Sequence, residues 1–290
     1  SVNLTACTFS ENSAGQTGGG VSNFNAPANC NECIFTGNNA SLGGGWYDID
    51  SSQGNGPQNN SRFTGCEFRE NVARSRGGGL YCLSETGASK PILGNCSFSN
   101  NSAVTSGGGL EASDSEPALS GCTFTGNSAQ FGGGVTSMRS SSLSVNCRFT
   151  QNTATRGGAW LNFDSTTTLR DCEFHDNTAT ETDRDPAPGG AVDSWRQDSV
   201  SNISGSTFCG NQPLAISPPG SWKDSGENLF SDTCEEDLPG ETPPFLRGDS
   251  NGDAVLDVSD AITTLGFLFL GDNSPACRAA ADSNADGNFD

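Results

Sequence analysis

CTFTGNSAQFGGGV, from Cys122 to Val135, decides the fold. It joins Cys-x-Phe-x-x-Asn-x-Ala to a glycine triplet and one apolar residue. The same wording stands at CTFSENSAGQTGGG from Cys7, CIFTGNNASLGGG from Cys33 and CEFRENVARSRGGG from Cys66. It returns at CSFSNNSAVTSGGG from Cys96 and CRFTQNTATRGGA from Cys147, while CEFHDNTAT from Cys172 reaches its GGA at Gly189 after a loop. The marker phenylalanines are Phe9, Phe35, Phe68, Phe98, Phe124, Phe149, Phe174 and a degenerate Phe208. Self-similarity at such a period marks a solenoid, propeller or array.

A helical repeat needs apolar residues every three to four positions over long stretches, and none occurs before about Asn228. Each repeat is instead rich in Gly, Ser, Thr and Asn, which suits short strands broken by turns. Cys and Phe, two apart, share one side of a strand. Three residues before most marker cysteines stands an apolar residue: Leu4, Cys30, Phe63, Leu93, Leu119, Leu169 and Ile203. An odd spacing cannot keep one face in a straight strand, so a bend or bulge must intervene. The sixth repeat has Ser144 there, between Leu143 and Val145, which suggests a register shift of one. The glycines mark tight backbone or positive φ. Insertions such as Asp48–Asn60 and Glu181–Pro188 fall between strands, as loops of stacked coils do.

The expected fold is all-β: a right-handed parallel β-helix of seven to eight coils, about 4.8 Å per coil. Asn12, Asn38, Asn71, Asn101, Asn127, Asn152, Asn177 and Asn211 would stack as an amide ladder at one turn, with asparagine itself taking the left-handed geometry. The repeated cysteines would fill the core as free thiols, because they share the inward register. Cys209 and Cys234 differ. A disulfide between them would pin a short irregular segment over the open end of the solenoid, whose edges need a cap.

The pairing of F-x-x-N with GGA and an apolar residue resembles the polymorphic outer-membrane-protein repeat, over about residues 1–211. That resemblance implies a parallel β-helix of the kind found in bacterial surface adhesins and passenger domains. It leaves activity open, since the scaffold also carries polysaccharide lyases and hydrolases.

The net charge of −20 argues against nucleic acid or an anionic membrane surface as partner. No run of eighteen apolar residues exists, so no membrane span is expected. With no signal peptide and a start inside a repeat, the chain reads as a mature fragment or one part of a longer, secreted or cell-surface bacterial protein.

Composition changes at Glu235. Residues 1–234 read as the β-helix with its cap, 235–247 as a linker, and 248–290 as a small α-containing module. DSNGDAVLDVSD, from Asp249 to Asp260, places side-chain oxygens at Asp249, Asn251, Asp253, Asp257 and Asp260, with the Val255 carbonyl at the seventh place. This is the ligand spacing of an EF-hand calcium loop. A helix over Ser259–Leu270 would follow. A second loop holds Asp282, Asn284, Asp286, Asn288 and Asp290, with Gly287 at the turn. The two loops resemble a type I dockerin, although Ala254 replaces the usual glycine and the second repeat is incomplete. The resemblance implies bound Ca2+ and a protein partner, either a cohesin-like module or a neighbouring copy of this chain.

No catalytic residue emerges from the register. Second after each glycine motif stand Ser22, Tyr47, Tyr81, Glu111, Thr136, Leu161 and Asp193. Glu111 and Asp193 fall three coils apart, about 14 Å, beyond the reach of a cooperating carboxylate pair. His175, the only histidine, reads as outward and solvated. Arg74, Arg76 and Arg156 lie near the glycine turns, as solvated charges or as a grip for an anionic sugar. Asp48, Asp50, Asp183, Asp185, Trp46 and Tyr47 are the remaining loop candidates, and Trp195 and Trp222 suit sugar stacking or packing under the cap. The expectation is a non-enzymatic extracellular scaffold for adhesion or fibre assembly with a calcium docking module. The alternative is a secreted polysaccharide lyase or glycoside hydrolase bearing a dockerin.

Overall fold

The computed structural model describes residues 2–51, 60–85, 89–181, 187–196, 198–217, 222–232 and 234. Contacts divide the chain into Ser1–Cys234 and Glu235–Asp290, and every described residue lies in the first unit. The linker and the α-containing module fall outside the described residues.

One coil shows the plan. Ala118–Ser120 leads, Thr123–Thr125 carries Phe124, Ser128–Phe131 follows the asparagine, and Val135–Met138 follows the glycines. Each strand pairs in parallel with its counterpart one coil on. Repetition builds four parallel sheets of nine, nine, six and eight strands. No helix occurs among the described residues. The parallel β-helix reading therefore holds.

The corners are left-handed residues. The residue before each marker-cysteine position, from Ala6 to Gly205, has φ between 48° and 63°. This is the bend that the odd spacing demands: the chain turns sharply so that the leading residue and the cysteine, such as Leu119 and Cys122, both stay inward. At the next corner the sequence reading needs correcting. The positive φ belongs to the residue before each ladder asparagine, from Glu11 (55°) through Gly126 (63°) to Gly210 (60°), and not to the asparagine. Glycine, asparagine and aspartate accept this geometry most cheaply. At the glycine corner Gly132 has φ of 60°. A Cβ on its neighbour Gly133 would collide with the carbonyl oxygen of Gly158, one coil on. Alanine stands at the third place in the later coils, as Ala159 and Ala191.

The core is a set of columns. Rings from Phe9 to Phe230 stack with centroids 4.6–5.1 Å apart. Burying each interior ring contributes roughly 1.5–3 kcal/mol. Beside the rings run Cys33, Cys66, Cys96, Cys122, Cys147 and Cys172, all buried and all free thiols, as their inward register predicts. Burial raises the Cys30 and Cys82 thiols well above their ordinary range, which keeps them protonated.

Three further expectations need revision. Ser144 pairs with Leu119 on one side and Leu169 on the other, so the sixth repeat keeps its register. Ser144 is fully buried while Leu143 is 40% exposed, because the pleat dictates the facing and not the side chain's polarity. The segment before Cys234 is no irregular cap: Trp222–Asp224 and Leu229–Ser231 extend two sheets by a partial ninth turn. The Cys209–Cys234 disulfide does form and ties that turn down. The insertion after Trp46 starts later than expected, since the strand Trp46–Asp50 includes Asp48 and Asp50.

Candidate functional site

The sheet that follows the glycines carries the most varied chemistry. Register aligns Ser22, Tyr47, Tyr81, Glu111, Thr136, Leu161 and Asp193 in one outward row. Alternation sends their neighbours Trp46, Leu80, Leu110, Val135, Trp160 and Val192 into the core. From Tyr47 onward the outward row is nevertheless buried. A second row, Leu42, Arg76, Ser106, Phe131 and Arg156, is aligned by its own pairings and folds over it. Leu42 packs on Tyr47, Ile49 and Tyr81. The carbonyl of Phe131 accepts from Thr136 Oγ1 at 2.8 Å, and its ring meets Trp195 at 5.1 Å.

The two acids of this row are handled differently. Asp193 is fully buried and accepts two hydrogen bonds from Arg156, at 2.7 and 3.2 Å. Glu181 approaches the same guanidinium at 3.7 Å, and the ring of Trp195 lies 4.8 Å from it. Such a fork is well matched to a carboxylate and is strong where water is excluded. Glu111 is fully buried and accepts from Ser113 Oγ at 3.0 Å, with Arg76 4.0 Å away. Burial pushes its pKa up to about 7; Ser106, Arg76 and Ser113 oppose the rise. Three coil steps separate Glu111 from Asp193, about 14 Å as the repeat length predicts.

The expected arginine grip does not form as an open cluster. Arg156 is consumed by Asp193, Arg76 faces Glu111, and Arg74 donates to the carbonyls of Ala14 and Gly15. Trp195 packs among Phe131, Phe163 and Arg156, and Trp222 packs on Phe230. Asp48 and Asp50 share the inward side with Trp46 and are 2% and 1% exposed. Asp48 accepts from Asn23 Nδ2 at 2.6 Å. Asp183 and Asp185 lie outside the described residues. The loop candidates are therefore not brought together on one surface among the described residues.

One surface feature escapes the motif reading. Asp114, Arg139 and Asp164 occupy the left-handed corner after the post-glycine strands, one coil apart. Arg139 clamps Asp114 at 2.6 and 2.8 Å, and this hydrogen-bonded pairing raises the Arg139 pKa. With Leu83, Glu85 and Glu116, the pair Asp114 and Arg139 edges a shallow cleft of about 530 Å3. The available signal is an alternation of charge at a fixed 25-residue step, visible only once the corner is known.

His175 is half-buried and not fully solvated: Arg148 lies 3.4 Å from Nδ1 and Glu173 3.8 Å from Nε2. Burial, then Arg148, hold its pKa below the usual imidazole range. The proposed calcium ligands, Asp249 to Asp260 and Asp282 to Asp290, lie outside the described residues.

Four parallel sheets with inward columns define a solenoid of the parallel β-helix class. The chain belongs to the family described as the right handed beta helix region, whose model matches residues 56–217. No curated protein and no solved structure matches the chain. Among the described residues, no helix is long and apolar enough to cross a membrane.

Proposed function

We propose that this protein is an extracellular β-helix scaffold for adhesion or fibre assembly, with Ca2+ held at the Asp249–Asp260 loop mediating docking. One observation carries this reading. The recurring positions of each coil are spent on holding the next coil, while the last described turn keeps an open parallel edge. The strand Trp222–Asp224 pairs on one side only among the described residues. Phe230 ends the ring stack half-exposed, and Leu229 is 66% exposed beside it. Such edges are templates for another strand, and a head-to-tail contact that does not close makes a filament. The net charge of −20 suits calcium as a bridging ion. The partner is a cohesin-like module or a second copy of this chain.

Electron microscopy of the purified chain with calcium and with a chelator tests the reading. Fibres or larger species in calcium that disperse in chelator support it; single particles in both conditions remove the assembly role. Incubation with a panel of uronate and neutral polysaccharides tests the enzyme alternative, since released unsaturated or reducing ends would replace the scaffold reading.

A further inference from the structure

At the edge of the last full coil, three metal-binding side chains converge and a carboxylate lies beside one of them. His175 sits opposite Cys209 in the parallel register, and Cys234 is joined to Cys209 by the disulfide. One ligand atom each from His175, Cys209 and Cys234 lies within 4.8 Å of the other two. Asp176 Oδ1 is 3.5 Å from Cys234 Sγ. Gly210 keeps the space open: a Cβ there would collide with the Asp176 carboxylate and come within 3.2 Å of Cys234 Sγ. The converged donors are therefore two sulfurs and one imidazole nitrogen, with the Asp176 carboxylate beside Cys234 to complete the set.

We propose that these four residues form a thiol-gated site for a zinc-class divalent cation, closed by the disulfide and opened by its reduction. Two molecules of a small thiol reduce the disulfide: they lose two electrons, become one disulfide, and leave Cys209 and Cys234 as thiols. The cation then binds both sulfurs as thiolates and two protons are released. A tetrahedral zinc site needs bonds of ~2.0–2.3 Å, so its donors sit about 3.3–3.8 Å apart. The His175, Cys209 and Cys234 donor atoms, all within 4.8 Å of one another, are within a small side-chain movement of that spacing. Glu173, 3.8 Å from His175 Nε2, supplies the carboxylate that commonly orients a ligating imidazole. Arg148 is the opposing charge, and it already pairs with Glu173 at 3.2 Å. Soft sulfur donors favour zinc-like ions over calcium, so this site is chemically separate from the acidic loops. In either state the ninth turn stays stapled to the solenoid, by a covalent bond or by the metal. The inference is independent of the calcium reading.

Cobalt(II) is the probe, added to the full chain in saturating calcium after reduction and removal of the reductant. One equivalent is expected to give tetrahedral d–d bands and a thiolate charge-transfer band, both absent from the oxidised chain. Zinc should displace the cobalt and raise the melting temperature of the reduced chain. The Cys209→Ser/Cys234→Ser double variant should lose both bands. If the bands persist there, the buried core thiols are binding and the proposal falls. His175→Ala, which keeps the disulfide, should weaken cobalt binding in the reduced state by roughly 10-fold or more. Unchanged affinity, or a reduced chain with no cobalt bands, would overturn the site.

Discussion

Two rows run along this rod, one inside a corner and one outside a sheet, and they are built on opposite terms. In the asparagine column each Oδ1 accepts from the backbone N–H and the Nδ2 of the asparagine one coil back. Asn101 to Asn127 and Asn127 to Asn152 are typical, with all four distances at 3.0 Å. The second Nδ2 proton goes to a phenylalanine carbonyl, as from Asn127 to Phe98 at 2.9 Å. Because every coil offers the same donors and acceptor, the same residue solves the problem each time. In the row outside the post-glycine sheet, Tyr81, Glu111, Thr136, Leu161 and Asp193 follow one another with no constant residue type. Each is covered by a different neighbour. A column satisfied by its own copies is constrained to one letter; a row satisfied by a variable cover is free to change.

The comparison can be broken most severely at the ladder. Asn127→Ala removes four buried side-chain hydrogen bonds and leaves the Asn101 donors without their acceptor. A loss of about 4 kcal/mol in denaturant unfolding is expected; a loss below ~1 kcal/mol would mean that the ladder does not hold the coils. Arg156→Ala removes two charge-assisted hydrogen bonds from the buried Asp193 carboxylate and should cost ~3 kcal/mol at neutral pH. The double change Arg156→Ala/Asp193→Ala should recover part of that, and no recovery would show that the arginine acts by packing alone.

Glu111 sharpens the contrast through pH. Its folded pKa of about 7 lies above the ordinary value of 4.5, so the native state binds the extra proton between them. Its contribution is therefore most favourable below about pH 4.5 and is lost as pH rises through 7. Glu111→Gln should raise stability over the parent by ~2 kcal/mol at pH 8 and leave it nearly unchanged at pH 4. Equal pH dependence in both proteins would remove Glu111 as the cause. The smallest effect belongs to the end of the ring stack: Phe230→Ala, at a half-exposed ring, should cost about 1 kcal/mol, against ~4 kcal/mol for the interior Phe124→Ala. Equal losses would deny that stacking between coils is what the interior ring provides.

What could be read directly from the letters was what repeats as letters. The ring stack, the thiol column and the ladder each use one residue type at one place, and the spacing between leading residue and cysteine demanded a bend. The left-handed corner was misplaced by one residue, because the asparagine is the visible constant. The true position reads Glu11, Gly37, Glu70, Asn100, Gly126, Gln151, Asp176 and Gly210, a subtler enrichment in glycine and asparagine-like residues. The cover of Leu42, Arg76, Ser106, Phe131 and Arg156 left only a partial signal, the two arginines near the glycine turns, since its members share a position and no constant residue type. The ninth turn was missed for a similar reason: Phe230 stacks without any Asn-x-Ala or glycine pair after it.

The claim that recurring positions carry structure while assembly resides at the rod ends and the acidic tail is best tested by excising one coil. A chain lacking residues 122–146 joins Gly121 to Cys147 and places each column one step early. Sedimentation velocity in calcium and then in chelator should show the same calcium-dependent larger species as the parent chain. Loss of assembly in the excised chain, with the parent still assembling, would place the interaction within the repeats and contradict the account.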